Sequence, residues 1–346
     1  SQEIRLAGET DNLSWTVGTF FRDSEENSFN SGLEGFTPPS ETLRESTSIA
    51  WFADFSYSLS EQLTLGLGTR YFEDEREVGG ADVPLEEDFN NLSSKLSLSY
   101  AINDDVNVYA SAAEGFRSGG FNEAGAILLG GPPSYDEETL VTYEIGLKSS
   151  LLDRSMTAEF ALFFSDYNDL QTFVFDPSTG SSSIINVAAA EIKGVEWNIQ
   201  WAANESFVMS FNGNLTDSEV TEVDQLPATQ IPGDPLDYVP EYSYAMSGDY
   251  KFRWPSSSID GFVRVEYNRQ GKNSVVNRTA GLAQEEFESE SIGFLNAHLG
   301  AVWPSLELEL YAKNLLDEDR ATTASISRQT PQARPRTIGV QLKYDF

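Results

Sequence analysis

The feature that most constrains this chain is where charge is absent. In about fifteen segments apolar residues occupy alternate positions, and none of those positions holds Asp, Glu, Lys, Arg or His. The clearest is Thr337 to Phe346, where Ile338, Val340, Leu342, Tyr344 and Phe346 alternate with Thr337, Gly339, Gln341, Lys343 and Asp345. The pattern recurs in Leu13, Trp15, Val17, Thr19 and Phe21; in Ile49, Trp51, Ala53, Phe55 and Tyr57; and in Leu63, Leu65, Leu67, Thr69 and Tyr71. It continues through groups such as Ala158, Phe160, Leu162 and Phe164, or Leu306, Leu308, Leu310 and Ala312. The charges inside these segments, among them Arg22, Asp54, Arg70, Lys95, Glu144, Lys148, Glu159, Arg264, Glu266, His298 and Glu309, stand in the other register. Side chains alternate across a strand, so each segment reads as a strand with one face that accepts charge and one that refuses it.

Water does not impose so strict a rule. A charge on the lipid face of a membrane barrel costs roughly 2–4 kcal/mol at the midplane, whereas a soluble sandwich tolerates lapses. Aromatics gather at segment ends (Tyr57, Tyr71, Tyr100, Trp201, Trp303, Tyr344, Phe346), where interfacial girdles would lie. No run approaches the length of a membrane helix, and the mean hydropathy of -0.34 is compatible with a barrel, whose lumen-facing half is polar. Every second connection is short, as at Gly8 to Asn12, Ser60 to Gln62 or Trp303 to Ser305. The alternate ones are mostly long, as at Asp23 to Glu45, Glu73 to Asp88 or Gln270 to Glu290. Short periplasmic turns and long external loops produce this alternation. The fold expected is an all-β, antiparallel, up-and-down transmembrane barrel. A formal net charge of -33 argues against nucleic acid as a partner. Ser1 to Gly8 already reads as a strand, so the segment is expected to begin after a removed targeting sequence or within a longer protein.

Five stretches carry a family resemblance: Val108 to Phe121 (VYASAAEGFRSGGF), Tyr135 to Ser149 (YDEETLVTYEIGLKS), Ile192 to Trp197 (IKGVEW), Lys313 to Asp319 (KNLLDED) and Arg334 to Phe346 (RPRTIGVQLKYDF). Each is degenerate alone, but in this order the chain resembles the C-terminal barrel of the TonB-dependent receptors of the Gram-negative outer membrane. The resemblance implies a barrel of twenty-two strands, an N-terminal plug and import energised by the TonB complex through a segment before the plug. Residues 1–346 would then supply about fifteen C-terminal strands, with plug and first strands absent. It further implies a small-molecule ligand such as a ferric siderophore, outer-membrane lipid and lipopolysaccharide around the barrel, and the assembly machinery reading Tyr344 and Phe346. A complete barrel of fourteen or sixteen strands, a passive porin-like channel and an acidic surface adhesin are the alternatives.

The chemistry expected is binding, with no catalytic residue, metal or cofactor. There is no Cys and one His, His298; a hydrolase built on it would need a Ser and an acid beside it. The acidic stretch Glu73 to Asp88 lacks an ordered cation-binding spacing and reads as a solvated loop. Arg22, Arg70 and Arg117 fall in the lumen register at the outer ends of strands. Their guanidinium forks suit carboxylate, catecholate or phosphate groups, or pair with acids of the protein itself. Phe29, Phe36, Phe89, Phe121, Tyr135 and Phe287 are aromatic candidates to stack on a sugar or planar chelate.

Overall fold

The computed structural model describes residues 1–30, 40–79, 84–176, 181–223, 231–255, 259–277, 285–325 and 330–345. Its elements are β1 (Gln2–Glu9), β2 (Leu13–Asn30), β3 (Ser40–Ser58), β4 (Leu63–Gly79), β5 (Leu85–Asn103), β6 (Val106–Arg117), β7 (Gly120–Phe121), α1 (Ala124–Leu128), β8 (Ser134–Tyr135) and β9 (Glu138–Leu151). There follow β10 (Met156–Asp176), β11 (Ser181–Asn204), β12 (Phe207–Val223), β13 (Tyr242–Arg253), β14 (Asp260–Gln270), β15 (Ser274–Asn277), β16 (Glu285–Glu288), β17 (Ile292–Trp303), β18 (Leu306–Lys313) and β19 (Thr337–Tyr344). Fifteen of these form one sheet in chain order, while β7 with β8 and β15 with β16 make small ribbons inside outer connections. Each alternating segment of the sequence is a strand of the large sheet. Among the described residues β1 pairs with β2 alone and β19 with β18 alone.

The registers carry the apolar rows from strand to strand. Trp15 faces Phe55, Phe55 faces Leu67, Leu67 faces Leu96 and Leu96 faces Ala112. At the other end Leu299 faces Leu310, which faces Val340. These side chains lie open, with Leu67 49%, Leu96 50% and Leu310 49% exposed. An apolar face this continuous is tolerable only against lipid. At the short-turn end the Tyr57 hydroxyl accepts a bond from Asn12 and the Tyr100 hydroxyl donates to Gln62, so each ring ends on a polar turn residue. That is how tyrosine spans a membrane interface. On the opposite face, rings lie over glycines of the next strand. A Cβ at Gly146 would come within 2.5 Å of the Tyr109 ring, and one at Gly300 within 2.0 Å of Phe262.

The outer connections differ from expectation. Much of what reads as loop in Asp23 to Glu45 and Glu73 to Asp88 is strand: β2 pairs with β3 through Asn30 and Ser40, and β4 with β5 through Val78 and Leu85. Above the membrane both faces of a ladder meet water, so backbone pairing continues while the apolar alternation stops. There the outward register does carry charge, at Asp23, Glu25, Glu73, Glu75 and Glu77.

Candidate functional site

The inner face of these strand extensions positions the candidate site. Continuing the inward register of β4 upward gives Arg70, Phe72, Asp74 and Arg76. Arg76 pairs across to Ser46 on β3, Ser48 faces Arg22 on β2, and Arg44 lies two residues beyond Ser46. At about 7 Å per two residues, Arg22, Arg76 and Arg44 occupy successive levels on three adjacent strands. Gly120, Phe121 and Tyr135 of the β7/β8 ribbon line the other side, and the half-open cavity, which Glu26, Glu45 and Glu77 also line, measures about 260 Å³.

One carboxylate organises this wall. Asp74 is 1% exposed and accepts hydrogen bonds from Ser46 Oγ and Ser48 Oγ, each at 2.7 Å, and from Arg76 Nε at 2.6 Å. Burial pushes its pKa up, but bonds from Ser46, Ser48 and Arg76 and the Arg76 charge more than cancel this, so it stays ionised below its ordinary range. Arg22 donates to the same two hydroxyls at 3.3 Å. Arg76 also donates to the Gly119 carbonyl at 2.7 Å and lies 5.7 Å from the Phe89 ring centroid, and Phe89 meets Phe121 edge-on. Arg44 reaches Glu123 at 2.5 Å. Among the described residues no carboxylate pairs with Arg22, whose partners are the Ser46 and Ser48 hydroxyls.

The structure therefore separates the three arginines singled out from the sequence. Arg22 lines the cavity. Arg70 sits three inward rows below Arg76, its guanidinium 5.2 Å from the Phe72 centroid. Arg117 is bound to buried Glu138 at 2.6 Å. Arg44 and Arg76 were not anticipated, because both lie in stretches that read as loop; extending the strand register past Tyr71 would have found Arg76. Of the aromatics, Phe89, Phe121 and Tyr135 gather here, Phe29 is exposed on β2, and Phe287 belongs to the β15/β16 ribbon. Phe36 and Phe346 lie outside the described residues; Tyr344 faces Leu306 on the outward side of the sheet's last pair.

Other clusters do other work. His298 Nδ1 meets Glu309 at 2.5 Å and Nε2 lies 3.9 Å from Glu266, so the imidazole is set between two acids, and no Ser hydroxyl bonds it among the described residues. Glu75, Glu77 and Glu86 bring their carboxylates together at exposed positions, and Glu77 is also part of the cavity lining.

A lipid-facing, up-and-down antiparallel sheet with long outer strand extensions defines the wall of an outer-membrane β-barrel. The chain belongs to the family of TonB dependent receptor-like β-barrels, whose model matches residues 3–315. Proteins of this family are receptors of the Gram-negative outer membrane, not enzymes. The pesticin receptors of Yersinia pestis and Yersinia enterocolitica are each 23% identical to it over 367 residues, which span all of this chain and 51% of theirs. Among solved structures, the ferric yersiniabactin uptake receptor FyuA of Yersinia pestis superposes with a TM-score of 0.79 at 19% identity, over 99% of this chain and 53% of that one. The ferric-catecholate import receptor Fiu of K12 E. coli gives 0.74 at 17%, over 99% and 54%. The chain thus spans about half the length of the relatives it matches.

Proposed function

We propose that this chain is the C-terminal barrel portion of an outer-membrane receptor that takes up an anionic ferric chelate of the siderophore class, energised by TonB. The observation that carries the ligand class is Arg22, which has no carboxylate partner among the described residues and stands on one wall with the acid-paired Arg44 and Arg76, beside aromatic rings at the outer entrance. FyuA and Fiu, which share the fold, are named for ferric yersiniabactin and ferric catecholate.

Strand parity supports the larger assembly. Fifteen antiparallel strands leave β1 and β19 running the same way, so an all-antiparallel closure needs an odd number of further strands between them. Seven would complete twenty-two. An edge left unpaired in hydrocarbon would cost several kcal/mol for each orphan backbone group. A plug and a TonB-contacting segment belong to the same reading, as do recognition of Tyr344 and Phe346 by the assembly machinery and a wall bathed in lipid and lipopolysaccharide.

The test is uptake of iron-loaded chelates by cells carrying the whole gene, against the Arg22→Gln, Arg44→Gln, Arg76→Gln triple variant. Each lost charged hydrogen bond is worth about 1.5–3 kcal/mol, so binding of the cognate ferric chelate should fall at least about tenfold. Unchanged binding with normal barrel yield would overturn the assignment of the ligand site. Uptake that persists in cells lacking TonB would instead favour a passive channel.

A further inference from the structure

In the described strands of the large sheet only two cations stand in the lipid-facing register, Lys193 and Arg269. Lys193 is neutralised by Asp217 at 3.1 Å. Arg269 is not: no carboxylate pairs with it among the described residues. In a chain with 55 acidic residues against 22 Lys and Arg, a cation held apart from acid needs a reason.

Its surroundings supply one. Arg269 faces Tyr244 on β13 and Gly293 on β17, one outward row above Tyr267 and two above Val265 of the apolar belt. Gln270 then leads into a long outer connection, so the guanidinium lies at the outer membrane surface. Its Nε donates to the Tyr242 hydroxyl at 3.3 Å and Nη1 to the Tyr267 hydroxyl at 3.5 Å. Tyr242 stacks on Tyr244, and Tyr244 packs against Tyr267 with centroids 6.1 Å apart. The Tyr242 hydroxyl donates onward to Ser291. A Cβ at Gly293 would fall 2.8 Å from the Tyr267 hydroxyl, so glycine keeps the adjoining space open. Two of the five guanidinium protons are used, and three remain in a planar fork that matches phosphate.

We propose that Arg269, held by Tyr242 and Tyr267, binds the phosphate of an outer-leaflet lipid headgroup. The tyrosine rings belong at headgroup depth, where an anionic lipid can lay its chains along the apolar belt and its phosphate against the arginine. The inference rests on the outer-membrane placement of the chain and is independent of the rim cavity.

The experiment uses the whole protein, purified folded, with native mass spectrometry of lipid retained from micelles doped with lipid A or with enzymatically dephosphorylated lipid A. Wild-type protein should retain the phosphorylated lipid about tenfold better. Arg269→Gln should lose most of that preference, Arg269→Lys should keep part of it, and Lys193→Gln should leave it unchanged. Heat-modifiable mobility verifies folding; should Arg269→Gln fail to assemble, the Tyr242→Phe, Tyr267→Phe double variant carries the test and should lower the preference. Equal retention by Arg269→Gln, or by that double variant where it stands in, would overturn the proposal. So would wild-type protein indifferent to phosphorylation, or a preference abolished equally by millimolar inorganic phosphate, which would mark a site for free anions.

Discussion

The membrane wall and the outer rim are built from the same strands under different rules. In the wall, between the girdles, lipid dictates the pattern: apolar side chains on one face, polar ones and glycine-seated rings on the other. In the rim the ladders continue, but what holds neighbouring segments is a set of polar side chains bonded to backbone. Asn122, 7% exposed, exchanges two bonds with Ile184. Gln171 bonds the carbonyls of Ser118 and Asp136, Asn273 takes the Ala324 amide, and Asn314 spans Glu318 and Arg334. A wall of this kind is specified by polarity and is tolerant of identity. The rim depends on individual side chains, since losing one partner strands a buried donor or acceptor.

The comparison breaks most severely in the wall. Leu65→Arg puts a charge on the lipid face and should cost roughly 2–4 kcal/mol, whereas Thr64→Arg points to the lumen and should be nearly neutral. Yield of heat-modifiable folded protein checks both, and equal yields would invalidate the register. Next, Asp74→Ala should open the rim at a cost of about 1–3 kcal/mol while the wall stays intact. It would be seen as protease nicking near Gly119 with unchanged barrel mobility. The pH dependence sharpens this. Because the Asp74 pKa is lowered by folding, its contribution is present above the ordinary aspartate value near 4 and is lost only as pH falls through the lowered one. Protection at Gly119 should therefore be flat from about pH 8 to about pH 5. Protection that faded across that window would exclude Asp74 as its source. Smallest, Tyr57→Phe removes one interfacial bond to Asn12 and should lower stability by about 0.5–1 kcal/mol without altering the rim.

The same division decided what was legible beforehand. All fifteen wall strands could be read because hydrocarbon allows no charge on its side, so the constraint falls on every second residue of Leu63 to Tyr71 or Thr337 to Tyr344. The stretch Lys313 to Asp319 was recognisable too, and in the structure the Asn314 side chain closes its turn by bonding Glu318 twice. The rim was read less well. Once water lies on both faces nothing forces alternation, and the outer ends of β2 to β5 looked like loop where they are strand.

By itself, then, the sequence determined the class of fold, the face toward lipid and the polarity of the sheet, since each follows from local alternation or connection length. Only the tertiary structure decided which arginines meet. Arg22, Arg44 and Arg76 are separated by 22 and 32 residues along the chain, and no periodicity connects them. What unites two of them is a buried carboxylate whose bonds cross from β4 to β3. Such a contact depends on strand register and on the ribbon folded back at Gly119, quantities that exist only once the sheet has formed.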